Sequence, residues 1–278
     1  MKLSINRIIL LIFSSFCLIF SSYAEDSYED LSWQFGPKNQ QVLGVASFFL
    51  PDNYSALNIA ETDKYLELSE NFATGADSFF GPIDSSWDGY FRFDKVGYIK
   101  DDNDINADDL LQTMRDGQKI SNKHRKENGW PTFTILGWEY PPFYDDKVKR
   151  LEWAFLMMNN ENNSKFINYE TRILGRNGVM EVVLVSSPED LNYAVKDLKE
   201  TLSTFSFNPG EKYSEYQKGD RVAEFGLAAL IAGGAAAVAS KKGLWALIAG
   251  FLVAAKKFAF AIVIALFAGI ASIFRRKK

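Results

Sequence analysis

Cysteine and histidine are almost missing from this chain of 278 residues, which holds one of each. The cysteine, Cys17, falls inside an N-terminal segment that reads as a cleavable leader, so the mature chain is expected to carry no thiol. That excludes a disulfide framework, a thiolate metal centre and a cysteine nucleophile. Lipid attachment at Cys17 is excluded too, because bulky Phe16 precedes it. A single histidine cannot supply a two-histidine zinc motif. His124 stands in Lys123-His124-Arg125-Lys126 at the expected end of a helix, where a solvated basic face complements the helix dipole. No Gly-x-Ser-x-Gly elbow is present, and GRNG at 175–178 joins two expected strands, as a hairpin turn does and a phosphate loop does not. No cofactor is expected.

Positive charge is scarce in the middle of the chain. Residues 25–222 hold 21 Lys and Arg against 34 Asp and Glu, a net charge of −13. Such a surface repels phosphate backbones, so nucleic acid is excluded as a partner. The acids at 101–109 suggest calcium, but from Asp102 the EF-hand spacing fails: Ala107 takes the glycine position and Thr113 that of the bidentate glutamate. An acidic loop capping a helix explains the same residues.

Apolar runs mark both ends. Residues 1–24 carry Lys2 and Arg7, an apolar stretch at 8–20, and Ser22-Tyr23-Ala24, the pattern of a secretory signal peptide cut after Ala24. Residues 225–278 are apolar apart from Lys241-Lys242, Lys256-Lys257 and Arg275-Arg276-Lys277-Lys278, and read as a transmembrane helical tail anchored in the lipid bilayer. Basic clusters favour the cytoplasm, so the crossing number is expected to be odd, one being preferred to three. Gly226, Gly233 and Gly234 among alanines would allow close helix approach and self-association.

Residues 25–210 read as an extracytoplasmic α+β domain, followed by a polar linker at 211–224. Strands are expected at 41–50, 86–93, 96–100, 132–138, 150–158, 165–174 and 179–186, from runs rich in β-formers bounded by turn residues. Helices are expected at 59–72, from Asn106 as cap to about 126, and from Ser187 as cap with Pro188 in the first turn. Short turns between the last four strands imply an antiparallel meander with helices packed on it. Within GWEYPPFY, residues Trp138, Tyr140, Pro141, Pro142, Phe143 and Tyr144 form a rigid aromatic stretch of the kind that partners use; filling of the core by Trp138 and Phe143 is the other reading.

Five runs carry a resemblance: GYIKDDNDINADDLL from 97, GWEYPPFYD from 137, NYETRILGRNGVMEVVLV from 168, FNPGEKYSEY from 207 and GLAALIAGGAAA from 226. Together they resemble the DUF2167 family of predicted membrane-anchored bacterial proteins. The resemblance implies a bacterial, exported, membrane-anchored protein and supplies no catalytic residues; with the leader sending the domain out and the basic C-terminus kept inside, the expected place is the bacterial cytoplasmic (inner) membrane, with the domain outside and the C-terminus in the cytoplasm. An early strand entering a proline turn, with a late meander, helix and Phe205-Ser206-Phe207, is similar to a Mog1/PsbP-like sandwich. The functional expectation is a non-enzymatic binding or assembly module of the envelope, able to self-associate or hold an envelope protein partner. The alternative is a carboxylate-dependent envelope hydrolase, which would need a deep cleft with convergent acids.

Overall fold

The computed structural model describes residues 27–100 and 105–231. The leader at 1–24, the acids at 101–104 and the tail from 232 onward lie outside the described residues. No helix among the described residues is long and apolar enough to cross a membrane.

Eleven strands are described: β1 (Gln34–Phe35), β2 (Lys38–Val42), β3 (Ala46–Leu50), β4 (Tyr54–Ala56), β5 (Ser78–Pro82), β6 (Trp87–Asp94), β7 (Phe133–Asp145), β8 (Arg150–Asn159), β9 (Lys165–Leu174), β10 (Val179–Ser186) and β11 (Ser206–Phe207). The α-helices are α1 (Ile59–Leu68), α2 (Ala107–Glu127), α3 (Leu191–Leu202) and α4 (Leu227–Ile231). Eight strands form one antiparallel sheet in the order β1-β4-β5-β6-β10-β9-β8-β7, and β11-β3-β2 form a small second sheet. The fold is therefore α+β, with the expected meander β7 to β10 at its heart. The same sheet takes in β6, which pairs with β10 along its whole length.

Two expected elements take another form. The 41–50 run is not one strand: Leu43 and Gly44 adopt positive φ of 51° and 74°, which makes a tight hairpin turn between β2 and β3. The 96–100 segment forms only an isolated bridge from Tyr98 to Val222. Pro141 and Pro142 do not end their strand either. β7 runs through them with shifts of register at the sheet edge, where a missing N–H costs no ladder bond.

The two faces of the large sheet are treated differently. On one, α3 and the small sheet bury Trp87, Phe91, Met180, Val182 and Leu184 with Phe48 and Leu198. Trp87 and Tyr54 both donate to Asp197 Oδ2 on α3, at 3.0 and 2.5 Å, so two buried polar tips share one acceptor. On the other face, α1 lies over β5, where Phe79 N donates to Thr62 Oγ1 (2.9 Å), and α2 lies over β7, with Arg115 Nη2 donating to Leu136 O (2.6 Å). The expected caps differ in detail. Asn106 caps α2 by accepting from the amides of Asp108 and Asp109, whereas Ser187 caps only the turn before α3, through Asp190 N (3.1 Å).

The stretch read as a polar linker is laid against the domain. Arg176 binds Asp220 in bidentate fashion (2.7 and 2.8 Å), and Tyr98 stacks between Tyr213 and Tyr216, with centroids at 4.4 and 4.2 Å. Beyond it, Leu227, Leu230 and Ile231 of α4 are buried in the cluster formed by Ile99, Leu151, Trp153 and Leu174.

Candidate functional site

Period-two alternation sends Asp88, Tyr90, Arg92 and Asp94 of β6 to the face opposite Trp87 and Phe91. By the same rule β10 presents Glu181, Val183 and Val185 there, and β9 presents Asn168, Glu170 and Arg172. Register then places Arg92 and Arg172 directly opposite Glu181 on its two sides. Opposite charges therefore alternate across three central strands, the favourable order for cross-strand neighbours.

Because α1 and α2 roof only the flanks of this face, the centre stays open as a cleft of about 760 Å³. Leu66, Asn71 and Phe72 form its wall at the end of α1, and Gln118, Ser121 and Arg125 its wall on α2. Phe133, Met157 and Phe166 give it an apolar side. Arg125 is structural: it donates to Asn71 Oδ1 (3.1 Å), Glu70 O (2.8 Å) and Pro131 O, and lies 4.2 Å from the Phe133 ring centroid.

Five carboxylates line the cleft, Asp77, Asp88, Asp94, Glu170 and Glu181. Asp77 accepts two bonds from Arg92 (2.7 and 2.8 Å) and one from Thr74 Oγ1 (2.7 Å), which raises the Arg92 pKa. Asp88 accepts from Tyr65 OH (2.9 Å), yet burial pushes its pKa up, and both Tyr65 and Tyr90 are raised, chiefly by burial, beside it. Glu170 accepts from Arg172 Nη2 at 2.7 Å. Arg172 is 5% exposed and lies over the Trp153 ring at 4.8 Å. Its Nε comes within 3.2 Å of Glu181 Oε1 but forms no hydrogen bond. Burial raises the Glu181 pKa, Arg172 opposes the rise, and Asp94 and Glu170 add to it.

The aromatic stretch on β7 is divided between surfaces. Trp138 stacks on Phe155 (4.5 Å, 19°) and donates to Ala107 O (3.1 Å), while Tyr140 packs toward the opposite face and donates to Asn192 Oδ1 (3.1 Å). Tyr144 packs against the same cluster as α4. Pro142 is half-buried on the edge, and Pro141 and Phe143 are exposed. Gly226 immediately precedes α4, and Gly233 and Gly234 lie outside the described residues. His124 is exposed, 3.0 Å from Glu127, and does not line the cleft. None of the cleft acids was singled out by sequence reasoning. Their signal was there in D-x-Y-x-R-x-D at 88–94 and E-x-R at 170–172, charges of both signs at alternate strand positions where a covered face would be apolar.

A family model described as "Protein of unknown function (DUF2167)" matches residues 34–267, most of the chain. The chain belongs to the DUF2167 family. The DUF2167 match takes in every cleft-lining residue, the segment at 211–224 and α4. No curated protein matches the chain. Among solved structures, it is similar to the solution structure of cyanobacterial PsbP (CyanoP) from Synechocystis sp. PCC 6803. That likeness covers 62% of this chain and 92% of the other, with 10% identity and a TM-score of 0.38.

Proposed function

We propose that this DUF2167 protein is a non-enzymatic binding module of the bacterial envelope, held to the cytoplasmic membrane by its tail and receiving a ligand or a partner's side chain in the sheet-face cleft. The observation that carries this reading is a cleft of about 760 Å³, within the size range of small-ligand sites, whose polar groups are fixed on central strands. Its aliphatic hydroxyls, Ser69, Ser121, Ser164 and Thr74, line it without the histidine, and Asp77 is committed to Arg92 and Thr74. A lining of this kind is suited to holding and orienting a ligand.

The hydrolase alternative draws support from the raised pKa of Asp88 and Glu181. Their placement favours it less. Asp88 pairs with Val185, four residues along β10 from Glu181, or roughly 13 Å of strand, against roughly 5–9.5 Å between the carboxyls of a glycosidase pair. The finer fold reading, a Mog1/PsbP-like sandwich, is part of the proposal, and the pairing of β11 with β3, which joins the two ends of the domain, supports it.

Topology and binding are tested together in intact cells. Reporter fusions after Asp220 should be active outside the cytoplasm, and fusions at the C-terminus inside it. A photo-crosslinking residue at Asn168, on the cleft floor, should capture a ligand or partner. An extracytoplasmic C-terminus would overturn the anchoring, and a purely monomeric, unmodified product would overturn the binding role.

A further inference from the structure

Building on the reading of the cleft as a ligand site, we propose that it takes an organic cation, an ammonium or guanidinium group on an apolar stem, with Glu181 as the counter-charge. The lining is short of usable positive charge. Arg92, across from Glu181, gives its Nε and Nη2 to Asp77, and Arg125 is turned to carbonyl and amide oxygens in the wall. Arg172 gives its Nη2 to Glu170. Glu181 is thus held by proximity, with Arg172 Nε at 3.2 Å off the hydrogen-bonding direction. Among the described residues Glu181 accepts no hydrogen bond, and a largely buried carboxylate without one gains from a new charged donor.

Charge sign and shape agree. The lining sets five carboxylates against three guanidiniums, so an anionic ligand would add to the excess negative charge, whereas a cation would lower the repulsion that Asp94 and Glu170 exert on Glu181. A metal ion is the weaker candidate, since no three acidic side chains among the described residues converge as its ligands. The apolar side made by Phe133, Met157 and Phe166 fits a hydrocarbon or aromatic stem. A bare inorganic cation would leave that side unused.

The test uses the full chain in lipid nanodiscs and three probes of one shape: phenethylamine, phenethyl alcohol and hydrocinnamate, read by calorimetry and ligand-observed NMR. Phenethylamine should bind at least about tenfold tighter than the alcohol, as a charge-assisted bond implies, and hydrocinnamate should bind least. E181Q should weaken the amine by about tenfold and leave the alcohol unchanged, and F166A should weaken both probes, which separates charge from shape. A lysine-bearing tripeptide in place of phenethylamine tells a protein-borne cation from a free one by which of the two binds tighter. Equal binding of amine and alcohol, preference for the carboxylate, or indifference to E181Q would overturn the cation assignment while leaving the cleft a ligand site. Failure of every probe to bind would overturn the cleft reading as well.

Discussion

Glu181 carries a testable signature at the scale of one residue. Because burial raises its pKa, the folded protein binds that proton more tightly than the unfolded chain does. Stability on this account rises as pH falls from the folded pKa toward the ordinary value of 4.5, and ionisation costs most near neutrality. E181Q, an isostere of the protonated form that leaves Arg172 paired to Glu170, should therefore raise the Tm at pH 7.5. The gain should vanish near pH 4. An unchanged or lower Tm at pH 7.5 would show that Glu181 is there for stability and not for binding. Asp197 presents the opposite case. D197A strands the buried tips of Tyr54 and Trp87 and should cost about 2–4 kcal/mol in urea unfolding, with D197N costing less. The sequence showed helical spacing around Asp197 but could not show that two aromatics 110 and 143 residues away converge on it. Long-range side-chain partners leave no local pattern, whereas the cleft acids on β6 and β9 did leave one, charges of both signs at alternate strand positions, that went unread.

Elements were legible where period and punctuation agree. The bounds expected for β9 and β10 are those observed, since each is an alternating run closed by turn residues. Short strands such as β4, β5 and β11 were not legible, because two to five residues carry too little periodicity. The segment at 211–224 has the polar composition of a linker, and the structure lays it against the domain through Tyr213, Tyr216 and Asp220, contact residues spaced along an irregular path that leaves no periodic signal. Its attachment can be measured. Two aromatic stacks of about 0.7 kcal/mol each correspond to roughly a tenfold change in opening. Y98A should accordingly speed tryptic cleavage at Lys212 and Lys218 by about tenfold, with cleavage elsewhere unaffected. Arg176 holds the Asp220 pKa down at about 2, so this contact contributes fully above the usual carboxylate pKa of 3.8. It is lost as pH falls through about 2, and no slackening of the segment is expected at the milder acidity of pH 5.

At the scale of the whole molecule, burial moves the limit of the folded unit past the point where composition changes. Residues 25–210 contain all eleven strands, yet Ile99, Leu151, Trp153 and Leu174 are covered in part by Leu227, Leu230 and Ile231. Burying each of those three side chains contributes roughly 1.5–3 kcal/mol, so even after the entropy of ordering the segment their loss is on the order of 5 kcal/mol. Domains commonly have about 5–15 kcal/mol in total. A fragment ending at 210 should then unfold at much lower urea and tend to aggregate through the uncovered cluster, whereas one ending at 231 should unfold cooperatively. Equal urea midpoints would show that α4 adds nothing to the core.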